Sequence, residues 1–171
     1  MATFLARLAR LWRHRWSDDT RLRGLPPELL ERLTARVAAS ERRHSGEIRI
    51  CIEGGLPSSY IWRDAPARER AIMMFGKLRV WDTERNNGVL IYLLLAEHAI
   101  EIVADRGLAA HVDAQAWHAM TQRMAGAFRE GRFEDGLTQA LGEVSALLVA
   151  HFPLSEEDAD RNELPDAPVV L

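Results

Sequence analysis

The residues best suited to chemistry are small oxygen donors gathered around one polar stretch: Asp82, Asn86 and Asn87, then Asp105, 18 positions beyond Asn87. Carboxylates and amide oxygens are hard ligands, and calcium accepts them together with backbone carbonyls in loose geometry. Asp82, Glu84 and Asn86 have the spacing of ligands 1, 3 and 5 in a helix-loop-helix calcium loop. The match ends there, because Asn87 stands where that loop needs glycine and Leu93 where it needs a bidentate acid. The residues point instead to a different oxygen-ligand metal site made of Asp82, Asn86, Asn87 and Asp105. Each has a plainer use as well: the Asn pair can build a turn, and Asp105 can cap the helix that follows.

Other chemistries have less behind them. Six histidines are scattered without an HxH or HxxxH pair, so a transition-metal site has little support. The sequence holds no GxSxG elbow for a serine nucleophile and neither glycine-rich phosphate signature. No catalytic residue can be named. The lone Cys51 falls inside a strand pattern and reads as an inert core thiol, which fits a cytosolic setting. Glu47 opens that strand and is the topological neighbour of Asn87. Glu53 closes it on the opposite side, where ligands of open α/β sheets bind.

The donors need a frame that brings Asn87 to Asp105, and an antiparallel hairpin supplies one. The continuous apolar run from Gly88 to Leu95 predicts a strand buried on both faces. Ala96-Glu97-His98 makes the turn, and Ile100–Ala104 alternates as a strand nearer an edge. Pairing of the two strands places Asn86 and Asn87 beside Asp105. Upstream, Glu47–Glu53 predicts another strand, and Pro66 to about Leu78 a helix with Ala71, Ile72, Phe75 and Leu78 on its stripe. Strand, helix and strand make a βαβ unit with parallel strands and a right-handed crossover. Helices are expected from Pro27 to Arg43, Asp113 to Arg129 and Phe133 to Phe152. The fold class is α/β: a three-layer sandwich around a small mixed sheet.

The two ends of the chain differ in charge. The whole carries a net charge of −3, yet residues 1–16 hold four arginines and no acid, and residues 155–171 hold six acids and one arginine. Phe4, Leu8, Leu11 and Trp12 recur at helical spacing, with Arg7 and Arg10 among the interleaved basic residues. A basic amphipathic helix of this kind docks on its own domain, on a protein partner, or on an anionic membrane surface. An acidic total with no other basic stripe argues against nucleic acid. No run of ~18 apolar residues suggests a membrane span, and the interleaved arginines do not form a secretory signal. The organisation expected is a basic helix over 1–16, an α/β domain over 17–154 and an acidic tail over 155–171, extended or mobile.

The ordered segments SGEIRICIE, ARERAIMMFGKL, NNGVLIYLLL, IEIVADRGL and FREGRFEDGLTQAL resemble the TPM domain family. HFP at His151–Pro153 followed by NELPD at Asn162–Asp166 is similar to its soluble bacterial branch. The resemblance implies a compact α/β/α sandwich. It also implies calcium binding as in some members, and the acid-phosphatase activity proposed for a plant member. Asn86, Asn87, Gly88, Asp105 and Gly107 match the family's pattern around the hairpin. The chain departs from it in lacking the export signal, the membrane anchor and the opening Asp-containing segment of exported relatives. The reading favoured is a non-catalytic accessory module that docks a protein partner or the cytoplasmic membrane face, with calcium as the cofactor in view. A metal-dependent acid-phosphatase-like hydrolase is the alternative.

Overall fold

A computed structural model of the protein describes residues 8–14, 22, 25–155 and 162–171. Residues 8–14 are helical (α1). There follow α2 (Pro27–Glu41), β1 (Ile48–Glu53), α3 (Ser58–Trp62), α4 (Ala67–Lys77), β2 (Val89–Leu94), β3 (Ala99–Ala104), α5 (Arg106–Ala109), α6 (Ala114–Arg129), α7 (Phe133–His151) and β4 (Val169–Val170). The sheet order is β3-β2-β1-β4. β1 runs parallel to β2, with Ile50 opposite Ile91, and β2 pairs antiparallel with β3, with Ile91 opposite Ile102.

Period-2 alternation divides the side chains of the sheet between two cores. Ile48, Ile50 and Ile52, with Val89, Ile91 and Leu93, face α2, α6 and α7, meeting Leu33, Met124, Phe128 and Val144. Cys51, Leu90, Tyr92 and Leu94 face the other way, against Ile61 of α3 and Ala71 and Met74 of α4. Every residue of β2 is buried, as an unbroken apolar run sandwiched between helical layers should be. The three-layer mixed sandwich is the architecture that the sequence predicts.

Three local differences affect what the ends of the sheet present. The hairpin connection is a 3-10 turn over Leu95–Glu97, closed by His98 in the left-handed region (φ 49°). Asp105 leads at once into the short α5, before α6 begins. In the tail, described from residue 162 onward, Val169 and Val170 pair with Cys51 and Ile52 as a fourth strand. Leu171 continues the ladder: its N–H donates to Ile52 O and its carbonyl accepts from Gly54 N, both at 2.9 Å. The Glu47 carboxylate, buried at the start of β1, accepts the backbone N–H groups of Glu163 (3.2 Å) and Leu164 (3.1 Å). Leu164 is itself buried in the second core. Glu47 thus ties down the tail, a role that needs a partner 116 residues away and leaves no local trace in the sequence.

Candidate functional site

The donors cluster where β2 begins and β3 leaves. After α4 the chain passes through the exposed Asp82 and reaches Asn86, whose φ of 53° lies in the left-handed region that asparagine tolerates better than most residues. Gly88 follows. Its Cα packs against the backbone carbonyl of Val80, and any Cβ there would collide with that oxygen. This close approach holds the loop over 79–88 against the strand entrance. Across the hairpin, Asp105 N donates to Gly88 O (2.9 Å) and Gly107 N donates to Asn86 O (2.8 Å). Val89 and Ala104 are paired, so Asn87 and Asp105 stand just beyond the last rung at the same end of the sheet.

Their polar atoms are unequally satisfied. Asn87 is wholly buried. Its backbone N–H donates to Thr83 Oγ1 (3.1 Å) and its Nδ2 to Ser45 O (3.0 Å). Asp105 caps α5, with Oδ1 accepting from Arg106 N at 2.7 Å. One oxygen on each side chain is left over. Among the described residues, Asn87 Oδ1 and Asp105 Oδ2 are the buried side-chain polar atoms with no hydrogen-bond partner. A buried acceptor left unpaired costs about 1–3 kcal/mol, so two at one end of a sheet ask for a reason.

The other two predicted donors are placed differently. Asn86 Oδ1 accepts from Arg106 Nη2 (2.7 Å) and Nε (3.0 Å), and a guanidinium in that position opposes a cation at the same oxygen. Asp82 is exposed on the turn. Thr83, Ser45 and Arg106 complete the local network. Only Thr83 could have been suspected from sequence, four residues before the amide it receives. No group of three or more His, Cys, Asp or Glu side chains capable of holding a metal occurs among the described residues. A cation here would therefore rely on amide and backbone oxygens as well as Asp105.

At the opposite end of the sheet Glu53 does form a constellation, but a closed one. Arg70 reaches it with Nε at 2.9 Å to Oε2 and Nη2 at 2.5 Å to Oε1, and Tyr92 Oη donates to Oε2 at 2.5 Å. All three residues are buried. Burial, then the Glu53 charge, pushes the Tyr92 phenol well above its ordinary range. The acceptor capacity of Glu53 is taken up internally, so this end reads as a structural ion pair.

α1 rests on this second end, and its contacts rearrange the predicted stripe. His14 is buried: its Nδ1 accepts from Leu56 N (2.8 Å), which leaves Nε2–H to donate to Glu97 Oε1 (2.9 Å). Arg10 Nε donates to the same Oε1 (2.7 Å), with its other nitrogens on Asp64 Oδ1 (3.2 Å) and Ala65 O (2.8 Å). Burial alone would raise the Glu97 carboxyl, but the His14 and Arg10 hydrogen bonds bring it below its ordinary value. Leu11 packs on the second core, whereas Leu8 and Trp12 are exposed. Phe4 and Arg7 lie outside the described residues. The polar Arg10–His14 pair therefore faces the domain, and part of the apolar stripe faces out.

The fold is shared with solved proteins. The NMR structure of BA42 protein from the psychrophilic bacterium Bizionia argentinensis superposes with a TM-score of 0.74 at 25% identity, covering 86% of this chain and 95% of that one. The solution structure of the N-terminal domain of a P. gingivalis protein superposes with a TM-score of 0.60 at 20% identity, covering 77% and 83% respectively, and shows the same fold. No curated protein matches the sequence. The model of the TPM domain matches residues 23–147, which contain the sheet strands β1 to β3 and the whole Asn86–Asp105 hairpin, and the chain belongs to the TPM domain family.

Proposed function

We propose that this protein is a non-catalytic binding module of the TPM type that takes up a calcium-like divalent cation beside Asn87 and Asp105. The observation that carries the reading is the pair of orphaned buried oxygens, Asn87 Oδ1 and Asp105 Oδ2. An amide oxygen, a carboxylate oxygen and nearby backbone carbonyls form a hard donor set, which suits calcium and offers little to zinc or copper. Asp82 would join from the exposed turn, and Asn86 only after releasing Arg106. The cation would answer the two unpaired acceptors and lock the loop over 79–88 to the exit of β3.

Heteronuclear NMR during a calcium titration tests this. Saturable amide shifts confined to residues 82–88 and 104–107 are expected, and Asp105→Asn, which keeps the α5 cap but removes the charge, should weaken them strongly. Asn87→Asp provides a second reading: destabilised in chelator by a buried unpaired carboxylate, and rescued by calcium. Absence of shifts, or shifts scattered along the acidic tail with the hairpin silent, would overturn the assignment.

A further inference from the structure

α1 is held in one orientation, and that orientation determines what it offers to the outside. Residues 10, 11 and 14 lie on one side of a helix of 3.6 residues per turn, and residues 8, 9, 12 and 13 on the other. The Glu97 carboxylate takes both Arg10 and His14, and Leu11 enters the second core. The outward side is left with Leu8, Ala9, Trp12 and Arg13, of which Trp12 is 69% exposed and Leu8 39%. The helix lies against the α3–α4 connection through Asp64 and Ala65, and Trp62 on α3, two residues before Asp64, is 49% exposed at the same end of the sheet. Two exposed indoles and a leucine beside a basic helix are costly to leave in water.

We propose that this end of the molecule is a membrane-surface platform, in which Leu8, Trp12 and Trp62 enter the interface of an anionic bilayer and Arg13 meets its headgroups. Charge singles out the occupant. Residues 1–16 carry four arginines and no acid; Arg10 turns inward to Asp64 and Glu97, and Arg13 is exposed on the outward side. The indole ring favours the water–hydrocarbon boundary, where one edge is apolar and the other hydrogen-bonds. No helix among the described residues is long and apolar enough to cross a membrane, so the attachment is peripheral. The inference stands apart from the cation site, which lies at the opposite end of the sheet.

Co-sedimentation of the full chain with phosphatidylglycerol–phosphatidylcholine vesicles tests it, with pure phosphatidylcholine vesicles and the exposed Trp81→Ser variant as controls. Binding to the anionic vesicles is expected, with weaker binding to the neutral ones. Trp12→Ser should lower it at least about tenfold, because an indole buries on the order of 150–250 Å². Arg13→Gln should lower it about fivefold, and Trp81→Ser should leave it unchanged. If Trp12→Ser proves to melt at a lower temperature, Arg13→Gln and Leu8→Ser, both on the outer side, carry the comparison. No sedimentation with anionic vesicles, equal binding to neutral ones, or full binding by Trp12→Ser and Arg13→Gln would each overturn the proposal.

Discussion

Replacing His44 should flatten the acid limb of the protein's stability curve. His44 is buried beside the start of β1, with Nδ1–H donating to Gly46 O (3.0 Å) and Nε2 accepting from Ser40 Oγ (2.8 Å). Both nitrogens are engaged in the neutral form, and a second proton would require the Ser40 hydroxyl to turn from donor to acceptor. Burial, outweighing the Gly46 bond and joined by the nearby Arg43 charge, lowers its pKa from 6.5 to about 4. The folded state therefore holds fewer protons than the unfolded chain between those values. Stability is intact above pH 6.5 and falls as pH drops toward 4. At ~1.4 kcal/mol per pH unit the full loss is about 3 kcal/mol, of which about 2 kcal/mol is gone by pH 5. The assay is urea unfolding at intervals from pH 7 to pH 4.5, for the natural protein and for His44→Asn, which keeps a donor for Gly46 but does not titrate. The variant is expected to be less stable at pH 7 yet shallower in slope, so that the gap closes as the medium acidifies. Parallel curves would refute the assignment of the acid limb to this imidazole.

Glu41 acts in the other direction. Burial first, with Glu47 and Asp166 nearby, raises its carboxyl from 4.5 to about 8, so its contribution is present below pH 4.5 and lost as pH rises through 8. Glu41→Gln, still able to accept from Ile48 N, should therefore gain most over the natural protein at pH 8–9 in the same unfolding assay. Gly126→Ala and Gly142→Ala, on helices with open space around the added methyl, should each stabilise by about 0.5–1 kcal/mol, whereas Gly88→Ala should fail to fold or melt far lower by calorimetry. Any phosphate-ester turnover should be weak, should vanish in excess chelator and should drop further in Asp105→Ala. Robust turnover in chelator that survives Asp82→Ala and Asp105→Ala would remove the metal-dependent mechanism and the non-catalytic reading.

The sheet was legible because its signals are local. The run Val89–Leu94 is apolar throughout and buried throughout, and the alternation of Ile100, Ile102 and Ala104 with Glu101 marked an edge strand. The meeting of Asn86–Asn87 with Asp105 followed from hairpin register alone. What stayed hidden depends on distant partners. Helical spacing puts Leu8, Leu11 and Trp12 on one stripe but cannot know that Glu97, 83 residues on, will draw His14 and Arg10 inward. Glu53 and Arg70 look like two ordinary surface charges until the fold buries them together. The tail's composition predicts an extended chain. Its attachment to β1 depends on Glu47 and on two valines too short a run to read as a strand. At the donor cluster, the sequence offers four oxygens, and only the folded network separates Asn86, taken by Arg106, from the two that remain unpaired.

The pairing of β1 with β4 also sets a timetable. β1 meets β2 across 41 positions of chain, Ile48 to Val89, but meets β4 across 118, Cys51 to Val169. Loop-closure entropy grows only logarithmically, so the longer closure costs just about 1 kcal/mol more at equilibrium. Time is less forgiving. A ribosome adding ~5–20 residues per second leaves the outer edge of β1 uncovered for several seconds after the rest of the sheet can assemble. During that interval an apolar strand presents unpaired N–H and C=O groups to whatever is near, the usual template for adding a foreign strand. Glu47 stands at the head of that edge and waits for Glu163 and Leu164. The late-arriving tail is then a self-supplied edge guard, and shortening it would be felt in yield and aggregation during synthesis before it was felt in the melting temperature of the finished protein.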